Sequence, residues 1–134
     1  ALTGYRLQVL IARGSKRSTL LAWLQHAVAV LAAVTRASDH EPLLNLLVTC
    51  AATGWTVYVF PRARHRPACY FAEGEAKLTV SPAALDLAGV LVVPDADHFT
   101  RIREQDIARI YAEVTLDAPR FAQWMEQCRD HACA

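Results

Sequence analysis

The chain has 134 residues, 54% of them hydrophobic and 20% charged. That is ample apolar material for one compact domain, and it excludes a disordered segment. The 14 Lys and Arg against 13 Asp and Glu leave a formal net charge of +1, which argues against a protein built to coat nucleic acid.

In chain order, "YRLQVLIA" (Tyr5 to Ala12) is apolar and rich in strand formers, so it predicts a strand with both faces partly covered. "RGSKRS" breaks it, and Ser15 or Ser18 is placed to cap the Ala- and Leu-rich helix that runs to Val34. Leu20 to Val34 carries Gln25 and His26 and is short for a bilayer span, so it reads as a buried helix. "TRASDHEP" is a polar loop. "LLNLLVTC" (Leu43 to Cys50) and "WTVYVF" (Trp55 to Phe60) flank a short Gly-containing segment, the signature of an antiparallel hairpin. Trp55, Val57 and Val59 are expected on one face, and Thr56, Tyr58 and Phe60 on the other.

"KLTVS" and "AGVLVVP" predict two further short strands. Asp95 to Val114 predicts one helix behind a capping Asp, with Phe99, Ile102, Ile107, Ile110 and Tyr111 at helical spacing. A last helix has Pro119 near its start and Phe121, Trp124 and Met125 on one face. Hairpins dominate and helices cluster at the ends. The expected class is therefore α+β, a single domain over 1–134 with helices packed on an antiparallel sheet.

Cys50, Cys69, Cys128 and Cys133 form no C-x-x-C pair, which fits reduced thiols in a cytoplasmic protein better than a disulfide framework. No ligand spacing supports a zinc site made from Cys50, Cys69 and histidines. "VLIARGSKRSTLL" superficially resembles a phosphate loop but has one Gly and no Gly-Lys-Ser, so a capped helix start with solvated Lys16 and Arg17 is preferred. Among His26, His40, His65, His98 and His131 only His65 sits in a charged cluster, and no Ser or Cys has a nucleophile motif.

That cluster is "PRARHRP": Arg62, Arg64, His65 and Arg66 between Pro61 and Pro67. In an extended segment the three arginines project to one side and His65 to the other. Guanidinium groups so placed need an anion or carboxylates between them, and their planar forks suit phosphate. A solvated loop paired with Glu73 and Glu75 is the competing reading.

Glu41 to Ile102 resembles the C-terminal half of the ATP adenylyltransferase (diadenosine tetraphosphate phosphorylase) group of the histidine-triad-like superfamily. That superfamily includes the galactose-1-phosphate uridylyltransferases and GDP-hexose phosphorylases. "NLLVT" (Asn45 to Thr49), "WTVYVFPR" (Trp55 to Arg62) and "SPAALDLAGVLVV" (Ser81 to Val93) carry the likeness. The resemblance implies a nucleotidyltransferase or phosphorylase acting on dinucleoside polyphosphates or nucleotide sugars. In that group a histidine of an H-x-H-x-[QH] strand attacks the α-phosphorus, and a second acceptor then displaces it.

No H-x-H occurs in this chain. The resemblance places that motif in an N-terminal part preceding Ala1, so the expectation here is no catalytic residue, with His65 not promoted to the role. Arg62, Arg64, His65 and Arg66 are the expected substrate-binding residues for a nucleotide or dinucleoside polyphosphate. The expected partners are that ligand and the N-terminal part, with no membrane and no nucleic acid. A homodimer is compatible with this reading, and no motif specifies a cofactor or metal. The alternative is a non-catalytic interaction or dimerisation domain that kept the fold.

Overall fold

The computed structural model describes residues 7–37 and 41–129. Tyr5, His40, His131 and Cys133 lie outside them. Strand β1 (Leu10–Gly14) leads into helix α1 (Arg17–Thr35), and β2 (Leu44–Ala51) and β3 (Gly54–Pro61) follow. Five α-helices and a short 3-10 turn at Gly74–Ala76 complete the described chain: α2 (Ala68–Phe71), α3 (Ala84–Leu87), α4 (Ala96–Arg101), α5 (Glu104–Val114) and α6 (Ala118–Arg129). The class is α+β: a three-stranded antiparallel sheet of order β1-β3-β2 with helices packed on it.

The predicted hairpin is present, with Leu44 opposite Pro61 and Ala51 opposite Gly54 across a two-residue turn. Gly54 has φ +120, and a Cβ there would stand 2.7 Å from the Gly14 carbonyl oxygen. Both the backbone and the close approach of β1's end therefore require glycine. Val57 and Val59 face the main core, as the alternation predicts, with Trp55 packed at its edge.

Helix α1 is 19 residues and meets the length and hydropathy of a membrane span. Its Leu20, Trp23, Ala27 and Leu31 nevertheless bury against Ala12, Val57 and Val59 of the sheet and Trp124 and Cys128 of α6. The Trp124 indole N–H donates to the Ala27 carbonyl at 2.8 Å, which satisfies the polar atom that a fully buried Trp brings inside. The helix starts at Lys16 with no side-chain cap, so neither Ser15 nor Ser18 caps it. Its last turn closes on Arg36 in the left-handed region, whose N–H reaches back into α1.

Several expectations are corrected. The first strand begins at Leu10 rather than earlier among the described residues. "KLTVS" and "AGVLVVP" are not strands. Leu78 and Val80 instead bury with Cys69 and Ile110 in a second apolar cluster, against which Leu91, Val93 and Ile102 pack. Burial, not sheet pairing, explains their apolar character. The helix expected over 95–114 is broken: Ile102 is extended, with φ −62 and ψ 137, and separates α4 from α5. Its capping Asp is correct, since the Asp95 carboxylate accepts from the His98 N–H at 3.0 Å.

Candidate functional site

Strand β3 does not simply end at Pro61. Arg62 N–H donates to the Leu43 carbonyl at 2.8 Å, Ala63 N–H to Val114 at 3.0 Å, and Leu116 N–H to Pro61 at 3.2 Å. The end of the hairpin is thus pinned to the α5–α6 connection through an Arg62–Thr115 bridge. The chain then bends through 63–66 before α2 begins.

Because those residues bend, the expected alternation fails. Arg62 does not project beside Arg64 and Arg66; it is buried, at 4% exposure. Its guanidinium turns back on main-chain carbonyls: one terminal nitrogen donates to Pro82, and the other to Arg64 at 3.0 Å and His65 at 2.8 Å. Arg62 also donates to Asn45 Oδ1 at 3.4 Å, and turning the Asn45 amide over lets it keep that contact while donating to the Leu44 carbonyl and accepting from Ala84 N–H. Burial pulls the Arg62 pKa down from its usual value, and the nearby Asp86 carboxylate opposes that shift. Arginine suits this position, since a planar fork can bridge several carbonyls at once.

Asp86 is the second buried charge. Its two oxygens accept from Ala83 N–H and Val92 N–H, each at 2.8 Å. The Tyr111 hydroxyl donates to the Asp86 carbonyl at 2.9 Å. Together Arg62 and Asp86 hold residues 81–86 against the bent arginine loop.

The loop therefore faces outward on a rigid base. Arg64, His65 and Arg66 are exposed. Among the described residues the Arg64 and His65 side chains make no hydrogen bond or ion pair, while Arg66 lies over the Tyr70 ring with its guanidinium carbon 4.4 Å from the centroid. Neither Glu73 nor Glu75 forms a salt bridge with the cluster. With Asn45, Arg62, Phe71, Ser81, Pro82 and Ala83, the three outward residues line an open concavity of about 730 Å³. All four residues singled out from the sequence border one surface, three as outward groups and one as its support.

Asn45, Asp86 and Phe71 were not singled out in the sequence. Asn45 had a signal, being a polar residue within the apolar run "LLNLLV". Asp86 and Phe71 had none: Asp86 accepts from the nearby Ala83 and Val92, but its approach to Arg62, and the place of Phe71 on the concavity, arise only in the fold. No cluster of three or more His, Cys, Asp or Glu among the described residues could hold a metal.

Hairpin, helices and outward cations define an α+β domain carrying a cationic open concavity at the end of its central strand. The chain belongs to the GDPGP1-like, C-terminal domain family, whose model matches residues 1–134. This is a family of the phosphorylase and nucleotidyltransferase type. The coarser part of the sequence resemblance therefore holds, while the match does not confirm the ATP adenylyltransferase group itself. No curated protein and no solved structure matches the chain.

Proposed function

We propose that this chain supplies the phosphate-binding surface of a phosphorylase or nucleotidyltransferase acting on nucleotide sugars or dinucleoside polyphosphates. The nucleophilic histidine comes from a partner N-terminal segment. The observation that carries the reading is the division of labour in the arginine loop: Arg62 turns its two terminal nitrogens onto the carbonyls of Arg64, His65 and Pro82, and so presents Arg64, His65 and Arg66 on the open concavity.

Substitution at phosphorus keeps negative charge on the phosphoryl oxygens throughout. Cations carried on a braced loop backbone stabilise that charge with less reorganisation than free ones. Arg64 and Arg66 would fork onto phosphate oxygens, and His65 would add a third donor. Arg62 is a positioning residue here, not a ligand.

Calorimetric titration of the full-length protein with GDP and with inorganic pyrophosphate tests the reading. Arg64→Ala and Arg66→Ala are each expected to weaken binding on the order of tenfold, the equivalent of one charge-assisted contact. Unchanged affinity in both folded variants makes the loop a solvated one and overturns the assignment.

A non-catalytic interaction domain is the second reading. It draws on β2, an edge strand with exposed Leu46 and Val48, which is an unusual surface to leave unpaired. Phosphorolysis of a nucleotide sugar by the full-length protein, lost in Arg64→Ala, excludes it.

A further inference from the structure

Among the described residues, four large apolar side chains are at least 60% exposed: Phe71, Leu85, Val90 and Phe99. Phe71 alone of these lines the arginine concavity. The helix that carries it, α2, is anchored by Cys69, buried in the second apolar cluster, and by Glu113, whose carboxylate accepts from Ala68 N–H at 2.7 Å. The Leu78 N–H donates to the Cys69 carbonyl at 3.0 Å and ties the helix to the following segment. The Tyr70 ring meets Phe71 edge to face, with centroids 5.2 Å apart and planes at 71°. Arg66 in turn covers Tyr70. One cation of the cluster thus packs on the residue that buttresses the exposed ring, which stays 68% exposed.

The geometry points to Phe71 as a stacking platform for the base of a nucleoside diphosphate whose phosphates lie on Arg64 and Arg66. An exposed aromatic face beside exposed cations complements what a nucleotide presents: a flat π-system at one end and negative charge at the other. Every base has such a face, so the platform recognises the class, with purines favoured by their larger ring overlap. The Tyr70 contact holds the ring in place, so little side-chain entropy is lost on binding. This inference rests on the phosphate-site reading above.

The test compares GDP, UDP and inorganic pyrophosphate on the full-length protein and its Phe71→Ala and Phe71→Tyr variants, by calorimetry. Loss of one stacked base corresponds to a drop on the order of tenfold or more. Phe71→Ala is expected to lose that much affinity for GDP, less for UDP and none for pyrophosphate, while Phe71→Tyr restores GDP binding. The melting temperature of Phe71→Ala should match the parent, since the ring is exposed. GDP affinity unchanged in Phe71→Ala, with pyrophosphate still bound through Arg64, overturns the platform and leaves the phosphate site standing. Equal losses for GDP and pyrophosphate also overturn it, because the ring then only shapes the loop. Absence of pyrophosphate binding in the parent overturns the phosphate site, and the platform with it.

Discussion

Replacing Arg62 by Ala should cost stability far more than replacing either neighbouring arginine, although all three sit in one basic cluster. Arg62 is 4% exposed and donates to the carbonyls of Pro82, Arg64 and His65. The Pro82 contact is buried and charge-assisted, so its loss is worth roughly 1.5–3 kcal/mol. Arg64 and His65 are exposed residues whose carbonyls can take water instead, so each adds at most about 0.5–1.5 kcal/mol. Asp86 also loses a nearby cation. Allowing for non-additivity within one network, the expected loss is about 3–5 kcal/mol. In a domain of this size that lowers the melting temperature by about 10–20 °C.

Arg64→Ala removes an exposed side chain with no hydrogen bond or ion pair among the described residues and should stay within about 0.5 kcal/mol of the parent. Arg62→Lys keeps the charge but cannot span Pro82 and the loop carbonyls at once, so it should fall between the two. Urea unfolding and thermal melts of the three variants supply the comparison. If Arg62→Ala melts within about 2 °C of Arg64→Ala, the clamp contributes nothing and the account of how the loop is held is wrong.

Burial raises the Cys128 thiol to about 11 and also raises Cys69, with Glu113 adding to the latter shift. At about pH 8 iodoacetamide should therefore alkylate exposed Cys50 promptly and spare Cys69 and Cys128 until denaturant is added, as read by peptide mass mapping; prompt labelling of Cys128 in the native protein would contradict its buried position. Acid should weaken the fold through two exposed helix caps. The Asp95 carboxylate is held below its usual range first by the His98 N–H, and the Asp117 carboxylate first by the Arg120 N–H. A lowered native pKa means that the unfolded chain takes up protons first. The stabilisation is thus full above the ordinary carboxylate range and disappears as pH falls through and below it. Melting temperatures followed from about pH 6 to pH 2 should decline less steeply in an Asp95→Asn, Asp117→Asn double variant, and parallel curves would refute the assignment.

The hairpin was legible because its causes are local. Two runs of strand formers, a turn with Gly54 and a two-residue alternation select Val57 and Val59 for the core before any contact is known. The Asp95 cap and the apolar face of α6 around Trp124 were legible for the same reason. The segments around Leu78 to Val80 and Leu91 to Val93 have strand-like composition, yet a strand also needs a partner edge, and composition does not say whether one arrives. Here Val80 is fully buried in a side-chain cluster with Ile110 instead. No Gly or Pro marks the break at Ile102 either; its packing on that same cluster accompanies it.

The candidate site divides along the same line. Its charge, and the residues Arg62, Arg64, His65 and Arg66, were plain in the sequence. Which arginine faces solvent and which is buried was decided by the Pro82 carbonyl, 20 positions further along the chain. Three guanidinium groups of identical chemistry acquire different roles because burial and hydrogen-bond partners belong to the folded arrangement, not to the residue type.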